Sequence, residues 1–250
     1  MTGFILFRNA VLRVLHHLDE ALAVSGLIWI GILIIQILSF GAVDMEGLEA
    51  GDPAAVSGNG FMLLFIANLA MVIGSCWIAV EWHCYALEGK RPTSAFPSWN
   101  GKRILSYFFL SILIGIGIGM AVGLFAGVLF SLFGTMLSQS IGGLFLIVVI
   151  GLPAVFLFLR ISPVLPAVAL GNKLSFGDAW NATKPYSASI FQAAILSIAA
   201  LIVVQFIAPV FGSGIVGLLY ELAVGWLLLM VNVSLLSSIY ELSLKGQLHD

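Results

Sequence analysis

Charged residues are scarce in this 250-residue chain: ten Lys and Arg with twelve Asp and Glu make up 9% of it. Soluble domains carry about a quarter of their residues charged, so a water-exposed globular surface is excluded. The formal net charge of −2 also excludes the basic stripe of a nucleic-acid-binding protein. Cysteine is nearly absent, and Cys76 and Cys84 suggest neither a disulfide framework nor a metal knuckle. The four histidines fall at no spacing that fixes metal or haem ligands, so no metal and no cofactor is expected. There is no phosphate-binding glycine loop, no pair of catalytic carboxylates and no Ser/His/Asp arrangement. The chain does not read as an enzyme.

What it has instead is apolar length. Hydrophobic residues reach 61% and the mean hydropathy is +1.13, more than one core could bury in water. A helical span needs about 20 mostly apolar residues. Six windows meet that requirement, at about 21–43, 61–82, 104–133, 142–162, 189–211 and 215–240. Their runs are continuous rather than alternating, so no β-barrel is implied. The expected fold is all-α: one polytopic membrane domain over 1–250, a bundle of six transmembrane helices with an N-terminal amphipathic interfacial helix within 1–20.

The basic residues orient it. Arg8 and Arg13 precede span 1; Lys90, Arg91, Lys102 and Arg103 lie between spans 2 and 3; Arg160, Lys173 and Lys184 lie between spans 4 and 5; Lys245 follows span 6. The alternate connections carry none, and the first of them holds Asp44, Glu46, Glu49 and Asp52. The positive-inside rule then places both termini in the cytoplasm. Small residues near Ala42 resemble a signal-peptidase site, but the apolar segment before them is too long for a usual signal core and is kept as a span.

Three local patterns stand out. Phe4, Phe7, Val11, Leu15 and Leu18 recur at helical spacing opposite Asn9, Arg13 and His16, which predicts a helix lying on the inner leaflet. Gly115, Gly119, Gly123 and Gly127 form one stripe along about 18 Å of span 3, a surface that permits close approach of another helix. The intrachain neighbour is the expected occupant, a second copy the alternative. The exits ALEGKRP (86 to 92), ALGNKLS (169 to 175) and SLKGQLH (243 to 249) each join a glycine stop to an inner-leaflet lysine.

The run LFLRISPVLPAVAL (157 to 170) places Arg160 in the last turn of span 4, where it can snorkel to headgroups. Pro163 and Pro166 then turn the chain to lie along the membrane. Ser175 and Asp178 have capping-box spacing, predicting a short helix through Trp180 that ends before Pro185.

WHCYALEGKRP (82 to 92) with Tyr107, paired with RISPVLPAVALGNKLSFGDAWNAT (160 to 183), resembles a group of alphaproteobacterial six-span inner-membrane proteins. More distantly the two blocks are similar to the membrane domain attached to bacterial glycerophosphodiester phosphodiesterases. The resemblance implies a multi-pass protein of the bacterial inner membrane. It carries no phosphodiesterase activity, since every hydrophilic segment is too short for a hydrolase domain. Cys84 stands where the group often has arginine, and Lys-Pro-Tyr-Ser follows Thr183 in place of a basic, glycine-containing segment, so any anion-binding role is weaker here.

Candidate site residues follow. Glu81 or Glu88 could pair with Arg160 and tie span 2 to span 4, or Arg160 could bind lipid phosphate directly, with Trp180 as interfacial anchor and His83 beside them. Glu221 is the one carboxylate placed within a span, read as a relay candidate or as a group near the outer interface. Gln36, Asn68, Gln205 and Asn232, one per span, suit interhelical hydrogen bonds. The expected role is an accessory, assembly or organising factor that binds anionic phospholipid, a membrane-protein complex or another copy of itself. The alternative is a small-molecule or lipid transporter.

Overall fold

The computed structural model describes residues 2–40, 58–91, 97–137, 147–212 and 215–245. Among them there is no strand. Helix α1 is Gly3–His16, α2 Leu18–Phe40, α3 Gly58–Glu88 and α4 Gly101–Leu137. A π-helical turn, Ile147–Gly151, leads into α5 (Leu152–Ile161), followed by α6 (Val164–Leu170) and α7 (Phe176–Thr183). A 3-10 turn joins α7 to α8 (Ser187–Ile207), and α9 (Ile215–Tyr240) ends in a second π-helical turn, Glu241–Lys245. Six stretches are long and apolar enough to cross a membrane: Leu18–Ser39, Gly60–Glu88, Gly101–Leu132, Val148–Leu170, Phe176–Phe211 and Leu219–Leu244. Each reaches past the expected window at the end that carries the basic residues. Backbone hydrogen bonding continues through charged positions at which an apolar window stops.

Packing is concentrated at that basic end. Ile78 to Cys84 of α3, Ile104 and Tyr107 of α4, Leu159 to Ala169 around α5 and α6, and Met230 to Tyr240 of α9 supply most of the buried side chains. Small residues make the contacts: Ala10, Ala79, Ala167, Ala169, Ala193 and Ala194, with Ser234, Ser237 and Ser238 all fully buried on α9. In lipid, helices gain little from hiding apolar groups that tails solvate equally well, so close contact between small side chains is what joins them.

Helix α1 is present, and it packs on the bundle by a face other than the apolar one expected to lie on the leaflet. Gly3, Leu6, Ala10 and Val14 are buried against α8 and α9, while Phe4 and Leu15 are exposed. The smaller side chains face inward because the backbones come close: a Cβ at Gly3 would collide with the Ser189 carbonyl, and Gly3 N–H donates to Gln192 Oε1 at 2.8 Å. Arg13 secures the other end through Glu241 at 2.7 Å.

The two prolines also act differently from expectation. Ser162 and Pro163 keep right-handed helical angles, and α6 continues inward with Val164, Leu165, Pro166, Ala167 and Ala169 buried against α3, α4 and α9. Proline is tolerated at the start of a helix, where its missing N–H has no partner to lose. The segment is thus a second packed helix rather than a surface elbow. Two of the three glycine exits are seen as helix stops, with φ +68° at Gly89 and +85° at Gly171, values that favour glycine. Gly246 lies outside the described residues, as does the acidic connection after α2.

The far half is looser. No described residue of α4 beyond Ile114 is buried, whereas Met230 to Tyr240 of α9, at the basic end, are nearly all buried. Tyr220 bridges α9 to α8 there through the Val204 carbonyl at 2.9 Å, and Trp29 reaches the Leu222 carbonyl from α2 at 3.3 Å.

Candidate functional site

A polar seam crosses the packed end where α3, α4 and α9 meet. Trp82 is fully buried and its indole N–H donates to Ser234 Oγ at 2.7 Å. The next residue, His83, is also fully buried, with Nδ1 2.8 Å from Ser237 Oγ and Nε2 3.3 Å from Tyr107 Oη. Ser237 Oγ donates to the Val233 carbonyl, so the consistent assignment has Nδ1–H donating to Ser237 and Nε2 accepting from the tyrosine hydroxyl. The i, i+3, i+4 recurrence of Ser234, Ser237 and Ser238 puts these hydroxyls on one side of α9, which is what meets the Trp-His pair.

Tyr107 also lines a cavity of about 430 Å³ between α3, α4, α6 and α9. Asn68, Ser75, Cys76, Ser111 and Asn232 contribute its polar edge. This revises the reading of the two asparagines as bridges. Asn68 donates to Leu64 O and Asn232 to Leu228 O, each on its own helix, because the carbonyl four residues back is within reach of so short a side chain. Gln36, one carbon longer, does cross from α2 to the Ala67 carbonyl of α3 at 3.4 Å.

Arg160 forms a second centre. Its Nε donates to Thr183 Oγ1 at 2.9 Å, Nη1 to Ser187 Oγ at 2.8 Å and Nη2 to the Trp180 carbonyl at 2.8 Å. The guanidinium carbon lies 4.0 Å from the centre of the Trp180 ring, and the residue is 5% exposed. The expected pair with Glu81 or Glu88 is not formed. Glu81 accepts from Ser98 Oγ at 3.2 Å, and Glu88 pairs with Lys90 at 2.6 Å, which raises the lysine pKa. Among the described residues Arg160 has no carboxylate within 4.0 Å, and it clamps α5 to α7 and α8 instead of reaching outward. Ser175 caps α7 as its spacing predicts, accepting from Asp178 N–H at 3.1 Å.

No family model, curated protein or solved structure matches the chain.

The remaining sequence candidates stand apart from these centres. Glu221 is exposed on α9 and lines neither the seam nor the cavity. Gly115, Gly119, Gly123 and Gly127 face away from the bundle, with no atom of another described segment within 4 Å of where a Cβ would sit. The expected intrachain packing of the stripe is therefore absent among the described residues. Close approach occurs at Gly74, where a Cβ would press on Ile32 of α2. Sequence reading missed the seam's partners on α9. Its signal was the serine spacing, which an apolar-window scan averages away.

Proposed function

We propose that this integral membrane protein is an organising or accessory factor that binds another membrane helix along the far half of α4 and has no reaction of its own. One observation carries the reading: among the described residues nothing covers the four-glycine stripe of α4. Glycine in a helix costs about 1 kcal/mol relative to alanine on the aqueous scale. Four of them facing lipid return none of that cost, whereas against another helix they allow close backbone contact. In a bacterial inner membrane the basic end would face the cytoplasm, with both termini there.

The Gly119→Leu, Gly123→Leu double variant tests this. In native membranes, with cross-linking and native mass spectrometry as readouts, the partner or second copy recovered with the chain is expected to fall about tenfold, a change of about 1.4 kcal/mol. Thermal stability of the isolated chain should not fall, because no described neighbour touches those positions and leucine is the better helix former. Undiminished association would remove the stripe as an interface.

A second reading, handling of a small amphiphile within the membrane, is supported by the cavity beside Tyr107. It offers the amides of Asn68 and Asn232 and two serine hydroxyls to a ligand in otherwise apolar surroundings.

A further inference from the structure

Lys102, Arg103 and Lys173 belong to two different connections of the chain, yet the fold brings them to one place. They line a pocket of about 420 Å³ at the basic end, together with Asn100, Ser106, Val168, Gly171 and Asn172. The first turns of α4 form one wall and the exit from α6 the other. No carboxylate lines it. Among the described residues none of the three cations lies within 4.0 Å of an acidic group: Glu81, bonded to Ser98, acts on Arg103 only through space, Glu88 pairs with Lys90 and Asp178 with its own cap.

The arginine is placed rather than free. Arg103 Nη1 lies 3.8 Å from Cys84 Sγ, and its Nη2 would be 3.2 Å from a Cβ at Gly171. The guanidinium therefore rests against bare backbone, which the positive φ of Gly171 exposes. Two of the cations also sit in the first turn of a 37-residue helix capped by Asn100, whose side chain accepts Arg103 N–H at 3.4 Å. Cations are disfavoured at that end of a helix dipole, and an anion there relieves both the dipole and the mutual repulsion.

We infer that this pocket binds a phosphate ester, held by the guanidinium of Arg103, the ammonium groups of Lys102 and Lys173, and the hydroxyl of Ser106. Arginine matches two phosphate oxygens at once, and lysine adds point charge. The same face of α4 continues from Ser106 to Leu113 and Gly117. There an apolar groove of about 400 Å³ runs between α4, α5 and α7, lined by Ile114, Ile118, Leu157 and Ile161 among others. A phosphate with acyl chains attached, an anionic phospholipid, fits both parts. Basic pockets between spans recognise such headgroups by this chemistry. The site is independent of the partner proposed for the α4 stripe, and lipid retention reads it separately from protein association.

The full chain is reconstituted in phosphatidylcholine vesicles containing a minor share of phosphatidylglycerol, gently extracted, and the retained lipid identified by native mass spectrometry. Wild type is expected to carry phosphatidylglycerol, and the triple variant Lys102→Gln, Arg103→Gln, Lys173→Gln to bind it about a hundredfold more weakly. Lys173→Glu, a single change at an exposed position, should lose most of the binding without risk to the fold. Lys184→Gln, an exposed lysine outside the pocket, should lose none. Glycerol phosphate is added to distinguish the source. If it displaces the lipid from wild type and binds the variants poorly, the site holds a soluble phosphate ester; if it fails to compete, the site holds the phospholipid. Equal retention of phosphatidylglycerol by wild type and by Lys173→Glu, with no glycerol phosphate binding to either, overturns the inference.

Discussion

Arg160→Lys is expected to destabilise the protein more than Arg160→Met, although lysine keeps the charge and methionine removes it. The guanidinium makes three bonds in three directions, to Thr183 Oγ1, Ser187 Oγ and the Trp180 carbonyl, and lies over the Trp180 ring. An ammonium on a straight stem reaches one or two of those acceptors and remains a buried cation. Hydrogen bonds to charged groups are worth about 1.5–3 kcal/mol each, so losing two costs about 3 kcal/mol or more. Methionine leaves no charge to desolvate, and its stem fills much of the same volume. Nor does it strand the hydroxyls: Ser187 Oγ still donates to Lys184 O, and the single proton of Thr183 Oγ1 still has the carbonyls of residues 160, 179 and 180 within reach. About 1–2 kcal/mol is the expected loss there, mainly the missing charged bonds and cation–π contact. Denaturant titration of the three proteins in one detergent orders them. A lysine variant as stable as wild type would mean that the site needs a positive charge at this point and no fork.

The transmembrane count was legible because lipid imposes it: a continuous apolar run of about 20 residues has few structural options. The Ser175 cap was legible for a similar reason, since donor and acceptor are three residues apart and no other element intervenes. Arg160 was located correctly at the end of its helix, but its partners were not, because they come from Trp180, Thr183 and Ser187, which approach only when α7 folds back. Charge counting suggested a carboxylate. The structure supplies a carbonyl, two hydroxyls and a ring, acceptors that sequence scanning gives little weight. The glycine stripe shows the converse error. Spacing reveals that a close-packing surface exists and is silent about which neighbour uses it, whereas the helices that do pack closely rely on scattered alanines and serines. The basic pocket was hidden by bookkeeping of another kind: Lys102 and Arg103 were assigned to one connection and Lys173 to another, and α4 and α6 bring the connections together.

Trp82→Ala is expected to be the most damaging single substitution in the seam, at about 3–5 kcal/mol, because it empties the largest fully buried side chain among the described residues. Volume and hydrogen bonding can be separated there. Trp82→Phe keeps much of the ring and loses the donor; Ser234→Ala keeps the ring and leaves the indole N–H buried without its acceptor, at about 1–3 kcal/mol. The double variant Trp82→Phe, Ser234→Ala removes both partners, and its cost should fall below the sum of the two by about 1 kcal/mol. Strict additivity would show that the 2.7 Å bond contributes nothing and that Trp82 acts through packing alone. Coupling has a consequence next door. His83 bonds to Ser237 one turn along the same helix, so Trp82 and His83 pin α3 to α9 at two successive points. Releasing the first lets the second move away from Tyr107, whose hydroxyl reaches His83 and whose ring lines the cavity. Trp82→Ala should therefore quicken solvent exchange or thiol labelling at Cys76, which lines that cavity and is buried in the native chain, and Trp82→Phe, which loses the bond but keeps much of the ring, should quicken it by less.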